Sequence, residues 1–172
     1  MTGPHADVVQ PDRDVAVPVG GPAGPPIRPV GCAGAGPGTI CGVQHYTIAS
    51  VAAQSADFRR VLWTGTHSQL VIMTVPVDGE IGEEVHDDID QILSFVAGTG
   101  EARVGGETRA VEPGDLVVVP AGTRHNFVNT GPNPLVLYTV YAPPEHADGA
   151  VHHTKEEADE AEESGEDEPP TG

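Results

Sequence analysis

Residues 114 to 129 read Gly-Asp-Leu-Val-Val-Val-Pro-Ala-Gly-Thr-Arg-His-Asn-Phe-Val-Asn. An apolar run from Leu116 to Val119 meets a turn at Pro120, Ala121 and Gly122, and a second run then starts at His125. Proline presets φ and glycine accepts positive φ, so the turn is sharp and the two runs are short strands. Side chains alternate along a strand, so His125 and Phe127 share one face while Arg124 and Asn126 point the other way. This stretch fits only a fold that turns one strand tightly into the next and aims an imidazole from a rigid element. Asn129 sits where it would secure a turn or strand end.

The same texture extends in both directions. From about Tyr46 the chain becomes short β-rich runs separated by turn residues. They are Arg59 to Trp63, Gln69 to Val75, Gln91 to Ala97, Glu101 to Val104, Glu107 to Val111 and Leu135 to Tyr141. The run from Gln69 is nearly all apolar, as expected of a strand covered on both faces. Gly105 and Gly106 mark a two-residue hairpin. No amphipathic helix is evident between residues 58 and 142. Many short strands with close turns predict an all-β sandwich or barrel. Trp63, Met73, Phe95, Phe127 and Tyr138 are its expected core or lining residues.

The flanks differ. Residues 1–42 contain nine Gly and eight Pro without strand or helix periodicity, and are expected to be a disordered Gly/Pro-rich arm. The arm lacks the apolar run of a signal peptide, and no stretch suits a membrane span. Cys32 and Cys41 both lie in it; a disulfide between them is disfavoured in a reducing compartment, and the protein is read as cytoplasmic. Residues 43–153 are the expected barrel. Residues 154–172 are an acidic tail, disordered or a short helix capped by Thr154, which would fray for want of an apolar face. Formal net charge is -18, and an acidic domain with an acidic tail excludes phosphate-backbone recognition, hence nucleic acid.

His5, His152 and His153 are expected at the surface, His67 and His146 have no evident partner, and His45 is placed on an arm strand able to pair with a second subunit. His86 differs, because it sits beside turn residues in Glu84-Val85-His86. Alternation puts Glu84 and His86 on one face, and Gln91 opens the next strand. Imidazole, carboxylate and amide oxygen together suit a divalent ion of intermediate hardness.

The Gly114 to Asn129 pattern resembles the second motif of the cupin superfamily at each defining position. Glu84, His86, Gln91 and Gly98 keep the spacing of the first motif. Glu84 stands where a histidine is usual and Gln91 where glutamate is usual. The resemblance covers roughly residues 58–142. The phrases from Phe58 to Trp63 and from Tyr141 to His146 look like small single-domain bacterial cupins of the mannose-6-phosphate isomerase-like kind. It implies a double-stranded β-helix (jelly-roll) barrel holding a divalent metal (Fe, Mn, Zn or Ni), with His86, His125, Gln91 and Glu84 as ligand positions. A small polar metabolite would be the substrate of a sugar isomerase-like enzyme, with Glu84 as base if it is not a ligand. An Fe(II) dioxygenase and a non-catalytic ligand-binding or sensing barrel are the alternatives. A homodimer is the expected assembly.

Overall fold

The computed structural model describes residues 43–170; the expectations for the Gly/Pro-rich arm, His5 and the two cysteines lie outside them. Among the described residues nine strands follow one short helix and precede another. Helix α1 is Ile48–Ala53. The strands are β1 Arg59–Thr64, β2 Gln69–Val75, β3 Asp90–Ala97, β4 Gly100–Val104, β5 Glu107–Val111, β6 Leu116–Val119, β7 His125–Asn129, β8 Leu135–Ala142 and β9 Val151–His152, and α2 is Lys155–Ser164. A six-stranded sheet in the order β6-β3-β8-β2-β1-β9 faces a three-stranded sheet in the order β5-β4-β7. All pairings are antiparallel. This is the two-sheet β barrel expected from the strand pattern. Among the described residues no helix is long and apolar enough to cross a membrane.

Register sorts the interior into rows. Gln91 pairs with Tyr141, Tyr141 with Gln69 and Gln69 with Thr64, giving a polar row at one end. The next row holds Leu93, Thr139 and Val71, and the one after it Phe95, Leu137 and Met73. Together with Phe127, Leu135 and Val75 these residues are almost entirely buried. The barrel is therefore plugged with hydrocarbon at one end and polar at the other, where a ligand can be received. Gly105 and Gly106 both take positive φ (58° and 87°) and join β4 to β5 as the two-residue hairpin predicted.

Several elements depart from the sequence reading. The β texture expected from Tyr46 gives way to helix α1, which lays Ala52 over Ile72 and Val136 on the outer face of the large sheet. That helix is why β2 is apolar on both faces: Val71, Met73 and Val75 face the barrel, while Ile72 is covered by α1. His45 is exposed and lies in no strand. Tyr138 packs with that outer layer and not in the barrel, and Trp63 is only partly buried. The acidic tail takes the short-helix form of its expectation, capped by Thr154, but it docks on the barrel instead of fraying in solvent. Thr154 caps α2 by accepting from the Glu157 amide, Ala158 joins the core, and Asp167 beyond the helix is buried. The tail docks through a few small or charged residues that pattern reading does not detect, since they form no apolar stripe.

Candidate metal centre

The segment between β2 and β3 runs antiparallel beside β7. Ile81 donates its amide to the Phe127 carbonyl at 2.9 Å, and Asn129 donates to Gly79 at 2.9 Å. Glu84 and His125 exchange both backbone hydrogen bonds, at 2.9 and 3.0 Å. Directly opposed residues in such a pair project from the same side. Asn126, which points away from the barrel as alternation requires, locks this strap by accepting from the Gly82 amide and donating to Glu80. Arg124 also points outward and pairs with Glu83. The turn before β7 is closed by the Thr123 amide donating to Pro120, and is tied to the strap by the Gly122 amide donating to the His86 carbonyl at 2.7 Å. Asn129 secures the far end of β7, donating to the carbonyls of Val75, Pro76 and Asn133.

These contacts bring Glu84, His86 and His125 together: one ligand atom from each lies within 4.8 Å of the others. Glu84 Oε2 is 3.2 Å from His86 Nε2 and 3.7 Å from His125 Nε2. His125 is 2% exposed, and its Nδ1 lies 2.9 Å from the Thr123 carbonyl. A carbonyl can only accept, so Nδ1 carries a proton, and in the neutral imidazole Nε2 is the nitrogen with the lone pair. Among the described residues Nε2 is buried without a hydrogen-bond partner. Gln91, 1% exposed, shares the polar row, and its Oε1 is buried without a partner too; so is Thr139 Oγ1, one row deeper. A buried polar atom left unpaired costs roughly 1–3 kcal/mol. An orphaned imidazole nitrogen 3.7 Å from a carboxylate is what a cation would satisfy, and two imidazoles and a carboxylate, with the Gln91 amide oxygen in the same polar end of the barrel, are donor types that suit a divalent ion of the Fe, Mn, Zn or Ni kind.

His86 lies between two carboxylates. Its second nitrogen, Nδ1, is 3.2 Å from Glu145 Oε1. Burial by itself would lower its pKa, but hydrogen bonds to Glu145 and Glu84 outweigh it and push the value up to about 10. Burial would raise the Glu84 pKa; the hydrogen bond and charge of His86, with His125 nearby, hold it below the ordinary carboxylate value. The ring of Tyr141 stands edge-on to His86 at 5.9 Å and to His146 at 5.0 Å. Burial, then the Glu84 charge, push its phenol well above its usual pKa, so it stays protonated.

Sequence reasoning passed over Glu145 and the group behind it. His146 is buried, with Nδ1 2.9 Å from Asp167 Oδ2. Arg59 meets Asp167 at 3.2 Å and also pairs with Glu162. His152, expected at the surface, is partly buried and accepts from Arg59 Nε; His153 stays largely exposed and pairs with Asp57. His146, Glu162 and Asp167 also lie within ligand range of one another, but the Arg59 guanidinium already supplies their cation. The available signal was Pro143-Pro144, which stops β8 and turns the chain back with Glu145 and His146 immediately after.

Residues 71–141 match the Cupin domain family. The uncharacterized protein YrkC of Bacillus subtilis is 44% identical over 115 residues, which span 63% of this chain and 62% of YrkC. The uncharacterized protein L612 of Acanthamoeba polyphaga mimivirus is 38% identical over 98 residues, spanning 55% of this chain and 61% of L612. The chain thus spans less than two thirds of the length of these curated relatives. The crystal structure of BH2720 from Bacillus halodurans superposes with a TM-score of 0.68 at 39% identity, covering 69% of this chain and 94% of BH2720. A conserved Klebsiella pneumoniae protein with a double-stranded β-helix domain superposes at 0.53 and 22% identity, covering 66% of this chain and all of that one, a likeness of fold alone.

Proposed function

The chain belongs to the cupin superfamily, and from that premise we propose that it binds a divalent metal ion through His86, His125 and Glu84, with Gln91 as a further oxygen donor, and acts as an enzyme on a small polar metabolite. The observation that carries the reading is His125 Nε2, buried, without a hydrogen-bond partner among the described residues, and 3.7 Å from the Glu84 carboxylate. Once bound, the ion would supply Lewis acidity, polarising a carbonyl or hydroxyl oxygen of the substrate. The protein's own residues prepare that site. The Thr123 carbonyl fixes the His125 tautomer, Glu84 brings one full negative charge, and Phe127 and Tyr141 wall the inner side against water. Glu84, engaged by His86 and held below the ordinary carboxylate pKa, suits an anionic ligand better than a general base. That weakens the sugar-isomerase form of the proposal. Two histidines and one carboxylate favour a non-haem Fe(II) oxygenase as the second reading. A non-catalytic barrel, whose unpartnered Gln91 and Thr139 oxygens would meet an organic ligand, needs no ion.

Elemental analysis of protein purified without chelator tests the proposal. Near-stoichiometric Fe, Mn, Zn or Ni that vanishes in both His86→Ala and His125→Ala is expected. Metal-free protein that gains no thermal stability from any of these ions would refute it. The exposed Leu116 and Val118 on edge strand β6, with Ile92 beside them, support a homodimer; sedimentation showing only monomer at micromolar concentration would exclude one.

A further inference from the structure

The turn that follows β8 is held on both sides. From the barrel, Gln69, wholly buried, donates from Nε2 to the His146 carbonyl at 2.7 Å, and its Oε1 accepts from the His146 amide at 3.0 Å and from the Glu145 amide at 3.4 Å. From the C-terminal segment, Asp167 takes the Ala147 amide on Oδ1 at 3.0 Å and faces His146 Nδ1 with Oδ2 at 2.9 Å. Asp167 is itself held by Arg59 of β1, whose side chain is 3% exposed and also grips Glu162 of α2. Ala158 seats the same helix in the core. Backbone and side chain of residues 145–147 are thus fixed at five points, and the side chain they deliver is Glu145, on Nδ1 of His86.

We propose that the acidic C-terminal segment is a built part of the site: through Asp167 it holds the turn at residues 145–147, and so Glu145 against His86. Resting on the metal reading above, this makes Glu145 and Asp167 positioning residues. A carboxylate on Nδ1 holds a proton there, so the nitrogen that His86 gives up to an ion is Nε2, on the side where Glu84 and His125 converge. Gln69 does the same for the turn from within the barrel. An ordinary solvating tail would have neither a buried carboxylate nor a buried cation to receive it. Deep burial of the Arg59–Asp167 pair is hard to explain by stability alone, because such pairs contribute little net folding energy.

The test is Co(II) affinity of the full chain by competition with a chelator, together with the visible Co(II) spectrum. With proton competition at His86 fitted out from the pH dependence of binding, Glu145→Ala should weaken Co(II) binding by roughly ten- to a hundred-fold. Glu145→Gln, whose amide oxygen can still accept from Nδ1, should recover most of that loss. Asp167→Ala should show a similar loss, and adding it to Glu145→Ala should cost little more, because both act through one contact. Glu166→Gln, which removes an exposed neighbouring charge, should match the unaltered protein. Removing Asp167 alone strands the Arg59 charge and could unfold the chain. Arg59→Met with Asp167→Leu removes both buried charges together and should fold while binding Co(II) as weakly as Glu145→Ala. If the unaltered protein binds no Co(II), the metal reading itself falls. If it binds, and the Arg59→Met/Asp167→Leu protein binds equally well with an unchanged spectrum, the C-terminal segment has no part in the site.

Discussion

Metal binding at this site should release a proton, and His86 supplies it. Its imidazole is hydrogen-bonded to Glu84 on Nε2 and lies 3.2 Å from Glu145 on Nδ1, and its pKa is raised from 6.5 to about 10. With that pKa the ring at pH 7 is protonated on both nitrogens and carries one positive charge. An ion that takes Nε2 must expel that proton across about three pH units, which at about 1.4 kcal/mol per unit costs roughly 4 kcal/mol of apparent affinity. Affinity should therefore rise about tenfold per pH unit, or about a hundredfold from pH 7 to pH 9. Titration calorimetry with Co(II) or Mn(II), in buffers of different ionisation enthalpy, should find about one proton released per ion at pH 8. The folded pKa of His86 lies above its unfolded value. Its contribution to stability is therefore complete below about pH 6.5 and is lost as pH climbs through about 10. Metal-free protein should weaken over that window, so the rise in Tm produced by the ion should grow with pH. Flat affinity between pH 7 and 9, with no proton released, would refute the placement of His86 between two carboxylates.

Two further outcomes test the scaffold. Gly98 has φ +77°, and a Cβ there would lie 2.3 Å from the Pro134 carbonyl oxygen and 2.8 Å from Leu135 Cα, so Gly98→Ala should cost at least about 2 kcal/mol in urea denaturation; an unchanged midpoint would contradict the close approach of this turn to β8. Thr154→Ala removes the acceptor of the Glu157 amide and should cost about 1 kcal/mol, with faster hydrogen exchange in α2 but not in β3 or β8.

Much of the fold can be read along the chain because strands and turns are written locally. All eight strands read from the sequence are present, among them β2 at Gln69–Val75 and β5 at Glu107–Val111 with the bounds expected. Helix α1 escaped because Ile48–Ala53 is too short to show a period. The site was partly legible. Alternation puts Glu84 and His86 on one face, and they lie 3.2 Å apart. Glu145 was not legible. It reaches His86 across 59 residues through a turn held by Gln69 and Asp167, and no local pattern encodes that.

By itself the sequence determined the strand series, the two tight turns around β6 and β5, and the residue types able to hold a cation at one end of the barrel. Those follow from φ preferences and side-chain alternation, which act between near neighbours. Only the tertiary structure decided that Glu84 stands opposite His125, that His125 Nε2 is left buried without a hydrogen-bond partner among the described residues, and that an acidic tail folds back to hold Glu145. These depend on register between distant segments and on a desolvated ion pair. Both arise when the chain closes on itself, and neither leaves a periodic trace in the sequence.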